Sequence, residues 1–201
     1  MLLSILGLAV VFLICILFVA PIRNRFFATG LWPWPLPHEI TREQMNKVAA
    51  LAEPGDVIVE SNMHFPQWVA LSYVFTGTTW VHASLVDDRK NLITETGKVV
   101  ELPINIYRTW RSTSVALVRP NYTNRREVAG AIAYAKSKED TPYDPSFKNP
   151  NASCTGLVGQ ALGSAGIAVP HKVIFGRRVY PADSFFKIPG ARVLWGNTQL
   201  K

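Results

Sequence analysis

The sequence predicts an α+β domain, a mainly antiparallel sheet packed by helices, preceded by one transmembrane helix. Three observations predict it. Residues 1–22 read MLLSILGLAVVFLICILFVAPI and hold no charged side chain, and roughly 20 such residues span a bilayer as a helix. Beyond residue 40, short runs such as VIVE, WVHASLV and SVALVR are divided by Gly, Pro and Asp turns, which is the pattern of strands. Capped helical patterns stand among them in an order that suits an α+β arrangement. The 201 residues, 48% of them hydrophobic, suit about one domain with a real core. The expected organisation is an anchor over 1–22, an aromatic and Pro-rich juxtamembrane linker over 23–40, and a globular domain over 41–201.

The anchor reading rests on its flanks. A cleaved signal peptide carries a basic start and a small-residue cleavage site. No Lys or Arg precedes this run, and Phe18 stands where a small residue is wanted. Arg23 and Arg25 follow at once, and the next acidic residue is Glu39. Cationic flanks stay on the cytoplasmic side, so these two arginines favour a cytoplasmic domain. Phe26, Phe27, Trp32 and Trp34 suit the headgroup layer, and the stiff WPWPLP segment holds the domain close to it. The formal net charge is +7, but Lys and Arg are scattered and no stacking-aromatic or basic-stripe pattern accompanies them. An anionic membrane surface, not nucleic acid, is the expected partner.

The domain reads as follows. Thr41, Arg42, Glu43 and Gln44 form a capping box that opens a short helix ending near Ala52. Pro54, Gly55 and Asp56 make a turn, with Asp56 capping it before a strand over 57–60. Pro66 suits the first position of a helix that places Trp68, Leu71 and Phe75 along one side and ends at Gly77. Strands follow over 80–86, 92–96, 99–102 and 114–119, with a turn over 87–91. Asn124 opens a helix whose buried stripe is Val128, Ile132 and Ala135. A helix over 154–165 buries Leu157, Val158, Ala161 and Leu162, and a last strand covers 192–195.

Two cysteines cannot build a disulfide framework, and Cys15 lies in the apolar run, far from Cys154. Cys154 stands at the first turn of its helix. Free cysteine is a common buried filler, but a helix N-terminus stabilises a thiolate. Among the four histidines, His38 sits in the linker, His64 in a turn and His171 in a loop. His82 lies in the apolar strand WVHASLV, where alternation sets Trp80, His82 and Ser84 on one face and Val81, Ala83 and Leu85 on the other. Glu95 ends the next strand. A turn centred on Asp88 and Arg89 sets position 82 directly opposite position 95, their Cβ atoms roughly 5 Å apart. A carboxylate beside an imidazole, and both near a thiol, is the logic of a Cys-His-acid triad. Such a thiol is expected to ionise below the ordinary value of about 8.5. A core histidine bonded to backbone and a solvated strand-end glutamate are the plainer alternatives.

The ordered set PGDVIVE, TGTTWVHASLV, ITE and TPYDPSFKNPNASCTGLV resembles the circularly permuted branch of the NlpC-type papain-like superfamily, the YiiX/YebB-like hydrolases. Lecithin:retinol acyltransferase-like proteins are more distant relatives. The resemblance spans roughly 53–186, and in that branch the His precedes the Cys, as here. It implies a circularly permuted papain-like fold with Cys154 as nucleophile, His82 as base and Glu95 as third member. Tyr143 resembles the tyrosine that lines the family's site, or packs under a loop. Thr155 and Gly156 depart from the Ser and acidic residue that often follow the Cys.

These features together imply a membrane-anchored thiol hydrolase. It would cleave an amide or ester bond of a cell-wall peptide or a lipid-type substrate. A cytoplasmic domain favours lipid-type substrates; one on the other side favours wall peptides. An acyltransferase with the same triad and an inactive papain-like binding module are the alternatives. No cofactor is implied, and a lone Cys with dispersed His residues has no metal-ligand spacing.

Overall fold

A computed structural model describes residues 39–62, 66–104, 112–144 and 148–197. The expected anchor, almost all of the linker, Cys15, His38 and His64 lie outside them. Among the described residues, no helix is long and apolar enough to cross a membrane.

The first helix, α1 (Arg42–Leu51), opens on the expected capping box: the Thr41 hydroxyl accepts from the Gln44 N–H, and the Gln44 side chain accepts from the Thr41 N–H. Strand β1 (Val57–Ser61) follows, then α2 (Pro66–Thr76), β2 (His82–Val86), β3 (Asn91–Glu95), β4 (Val99–Pro103) and β5 (Ser114–Arg119). Helix α3 (Arg125–Lys136) is capped by the Asn124 side chain, and α4 spans Cys154–Ser164. A small hairpin, β6 (Lys172–Ile174) and β7 (Arg177–Val179), and a 3-10 segment (Ala182–Lys187) lead to β8 (Arg192–Gly196).

Six strands form one sheet in the order β4-β3-β2-β1-β5-β8, and every neighbouring pair is antiparallel. Strand alternation gives this sheet two apolar faces. On one, Val57, Val59, Ala83, Leu85, Ile93 and Val118 pack against Ile132 and Ala135 of α3 and Leu157, Val158, Ala161 and Leu162 of α4. On the other, Ile58, Val86, Leu92 and Leu117 pack under Met45 and Val48 of α1. The mainly antiparallel sheet packed by helices is therefore as expected.

Three details differ from the sequence reading. Strand β2 begins at His82, not Trp80, because side chains of α2 and the following loop take the Trp80 backbone: its N–H donates to Thr78 Oγ1 and its carbonyl accepts from Ser72 Oγ. The β6–β7 hairpin escaped notice, since two three-residue strands carry too little alternation to register. Helix α2 buries Val69 and leaves Trp68 and Phe75 exposed.

Asp56 does cap its turn. Its Oδ2 accepts from the Glu53 N–H at 2.8 Å, and Arg119 binds the same carboxylate through Nε and Nη2 at 2.8 Å each. This ties the start of β1 to the end of β5.

Candidate functional site

Cys154 is the first residue of α4. Ser153 precedes the helix but does not cap it; its hydroxyl donates to the Pro150 carbonyl at 3.3 Å. The first N–H groups of α4 are thus left for the thiol, and those of Cys154 and Thr155 both point to it. The helix begins hard against the Pro150 turn. A Cβ built on Gly156 would lie 2.0 Å from the Pro150 carbonyl oxygen, so only glycine permits this approach.

The sulfur rests on the edge of β2. The thiol donates to the Val81 carbonyl at 3.7 Å and receives the Ala83 N–H. It therefore touches the backbone on both sides of His82. This contact coincides with an opening in the sheet. The β2–β3 ladder holds Leu85 opposite Ile93 and Val86 opposite Leu92, and it stops short of the end where the sulfur lies.

That register corrects the expected pairing of His82 with Glu95. Continued along the strands, it sets Ala83 opposite Glu95 and Ser84 opposite Thr94. The β2–β3 turn is one residue longer in effect than the sequence reading assumed, and a one-residue slip moves a side chain to the other face. The imidazole of His82 accordingly meets Thr94: Nε2 lies 2.8 Å from Thr94 Oγ1, which also accepts from Ser84 Oγ at 2.9 Å.

Glu95 still acts on the imidazole through charge, and on the thiol as well. Its carboxylate accepts the Gly97 N–H, while the Gly97 carbonyl accepts the Tyr143 N–H at 2.8 Å. Gly97, at φ +95°, thereby holds Glu95 and Tyr143 side by side. Charge on Glu95 acts on Cys154, His82 and Tyr143, and Tyr143 also feels Cys154. The segment between Tyr143 and Cys154 is pinned as well: the Asp144 N–H donates to the Ala152 carbonyl, and Asp144 Oδ2 accepts the Asn149 N–H, both at 2.9 Å. His171 stands elsewhere, its ring 5.8 Å from that of Tyr180.

The electrostatics reverse one expectation. Burial first, and the Glu95 carboxylate second, push the Cys154 thiol up to about 11, and the N–H groups of Ala83, Thr155 and Cys154 offset this only in part. Helix N-terminal stabilisation of a thiolate is real, but loss of water opposes the charged form more strongly here. Burial also holds His82 below its ordinary value, with Glu60 and then Glu95 acting the other way. Glu95 itself is raised by burial, and so is Tyr143. Burial thus disfavours the charged form of both the thiol and the imidazole.

Two functional candidates were missed in the sequence. Glu60 is buried and sits opposite His82 in the β1–β2 ladder, and it acts on the imidazole more strongly than Glu95 does. A lone carboxylate inside VIVES was its only signal. Thr94 is the other; one register step hid it behind Glu95.

No family model matches the chain, and no curated protein matches it. Among the described residues, no three His, Cys, Asp or Glu side chains are grouped to hold a metal ion. Among solved structures, YiiX from Escherichia coli O157:H7, described as a metalloprotein of DUF1105, is 15% identical with a TM-score of 0.56, over 71% of this chain and 96% of that one. At that identity the likeness concerns the fold, and the chain has a YiiX-like α+β fold.

Proposed function

We propose that the chain is a thiol-dependent hydrolase on a circularly permuted papain-like fold, with Cys154 as nucleophile, His82 as base and Glu95 as the acidic member. One observation carries the reading: the Cys154 sulfur, at a helix start, touches the backbone on both sides of His82 within the field of Glu95 and Tyr143. Cys154 Sγ attacks the substrate carbonyl carbon and its proton passes to His82. The first N–H groups of α4 receive the oxyanion. His82 then protonates the leaving amine or alcohol as its bond to the carbonyl breaks, leaving a thioester on Cys154. Water, deprotonated by His82, releases the acid and restores the thiol. With Nε2 held by Thr94, the other ring nitrogen, Nδ1, is the one that would take the thiol proton, with Tyr143 lining the site.

The apolar run over 1–22 would anchor the enzyme, and Arg23 and Arg25 favour a cytoplasmic domain. Acyl esters or amides of lipids are then the preferred substrates, with wall peptides for the opposite orientation. The test is intact-protein mass spectrometry of the full chain after incubation with membrane and wall extracts. An acyl adduct on Cys154 that is lost in Cys154→Ser, and forms far more slowly in His82→Ala, supports the mechanism. No adduct from either extract refutes it.

A second reading has a specific observation in its favour. Burial raises the thiol to about 11, which suits an inactive papain-like binding module. Unchanged ligand retention in Cys154→Ser would support that module.

A further inference from the structure

Helix α2 contains no charged residue, and it turns an apolar face outward. Trp68, Tyr73, Val74 and Phe75 are all exposed, Val74 at 75%. The β6–β7 hairpin continues this face with Val173 and Phe175, which are 70% and 86% exposed. The two elements are joined: the rings of Phe75 and Phe175 meet edge to face at 6.3 Å, and Lys172 Nζ donates to the Thr76 carbonyl that ends α2.

The hairpin tip is costly in local terms. Phe175 and Gly176 have φ of +51° and +73°, a turn that favours Asn-Gly or Gly-Gly. A bulky residue at positive φ is a backbone outlier, and here it gains almost no burial in return. Contiguous exposed apolar surface of this kind marks an interaction site.

Charge identifies the occupant. Lys172, Arg177 and Arg178 lie on the hairpin itself. No acidic residue occurs between Glu60 and Asp87, or between Asp144 and Asp183, the stretches that contain α2 and the hairpin. Aromatic and aliphatic side chains beside cations suit the headgroup layer of an anionic bilayer. The sequence also carries the uncharged run over 1–22, followed by Arg23 and Arg25. We propose that α2 and the β6–β7 hairpin form a membrane-docking face that inserts Phe175, Val173 and the α2 aromatics into an anionic lipid surface. The docking face stands whether or not the hydrolase reading does.

The test uses the full chain with Cys15→Ser and Cys154→Ser, reconstituted into vesicles of phosphatidylcholine with or without phosphatidylglycerol. An environment-sensitive fluorophore is placed at Phe175→Cys, at Val173→Cys, which keeps Phe175, and at Lys47→Cys on exposed α1 as a reference. Docking predicts that emission at 173 and 175, but not at 47, shifts to shorter wavelength and is quenched by doxyl-labelled lipid. The effect should be larger with phosphatidylglycerol and shrink at about 1 M salt, where the screening length is roughly 3 Å. Equal emission at 47, 173 and 175 overturns the proposal, as does an effect indifferent to lipid charge. A shift without lipid quenching also overturns it, because protein then covers the tip. Dependence on protein-to-lipid ratio would identify a second copy, and independence a segment of the same chain.

Discussion

The ionisation of Cys154 decides how this site works, and the structure makes it measurable. A thiol raised from 9.0 to about 11 is about 0.01% ionised at pH 7, against about 1% for one left at 9.0, a difference of about a hundredfold. The perturbation is pH itself, applied to the full chain with Cys15→Ser in detergent. The assay is the rate of alkylation by iodoacetamide, read by mass spectrometry and set against the same chain in denaturant. The denatured profile should level off near pH 9. The native rate should still be climbing about tenfold per pH unit at pH 10, because only the thiolate reacts. Stability must follow with a fixed sign. The folded state holds the proton more tightly than the unfolded state, so the thiol's contribution is fully present below about pH 9 and is lost as pH rises toward 11. The size of the rise, about two pKa units, corresponds to roughly 3 kcal/mol. The loss in melting temperature between about pH 8 and pH 11 should therefore be smaller in Cys154→Ala than in the parent. A native alkylation profile that levels off below pH 8 would refute the reasoning, and would mean that the N–H groups at the start of α4 outweigh burial and Glu95.

Replacing Glu95 by Gln removes a charge that raises the thiol, so alkylation at pH 8 should speed up; a slower rate would mean that Glu95 activates Cys154 in the resting state. Two glycines of α4 should respond with opposite sign. Gly163 has open space around a built Cβ, whereas Gly156 meets the Pro150 backbone at 2.0 Å. Gly163→Ala should raise stability by about 0.5–1 kcal/mol, and Gly156→Ala should lower it by about 2 kcal/mol after its helix gain is counted, as read by denaturant midpoints. Arg119→Ala strands the buried Asp56 carboxylate and should cost about 3 kcal/mol, seen as a lower urea midpoint at unchanged slope. Thr94→Val takes the hydroxyl from both His82 Nε2 and Ser84 Oγ; a loss of about 1–3 kcal/mol is expected in the same assay.

Much of this protein is determined by sequence acting locally. The capping box at Thr41, the Asn124 cap, the Asp56 turn and the α4 stripe of Leu157, Val158, Ala161 and Leu162 involve residues a few positions apart. Their hydrogen bonds and periodicity are fixed by chain geometry, so they are legible without a fold. Cys154 at a helix start is legible for the same reason. Which residue faces which is not. The β2–β3 register turned on one residue of turn length, and it exchanged Glu95 for Thr94 as the partner of His82. Glu60 reaches His82 only because β1 and β2 pair across an intervening helix, a contact with no local signature. The thiol's ionisation depends on burial beneath the β2 edge and on Glu95, and desolvation is a property of the assembled interior. Local chemistry chose the thiol's position on its helix; tertiary packing decided its neighbours and its charge.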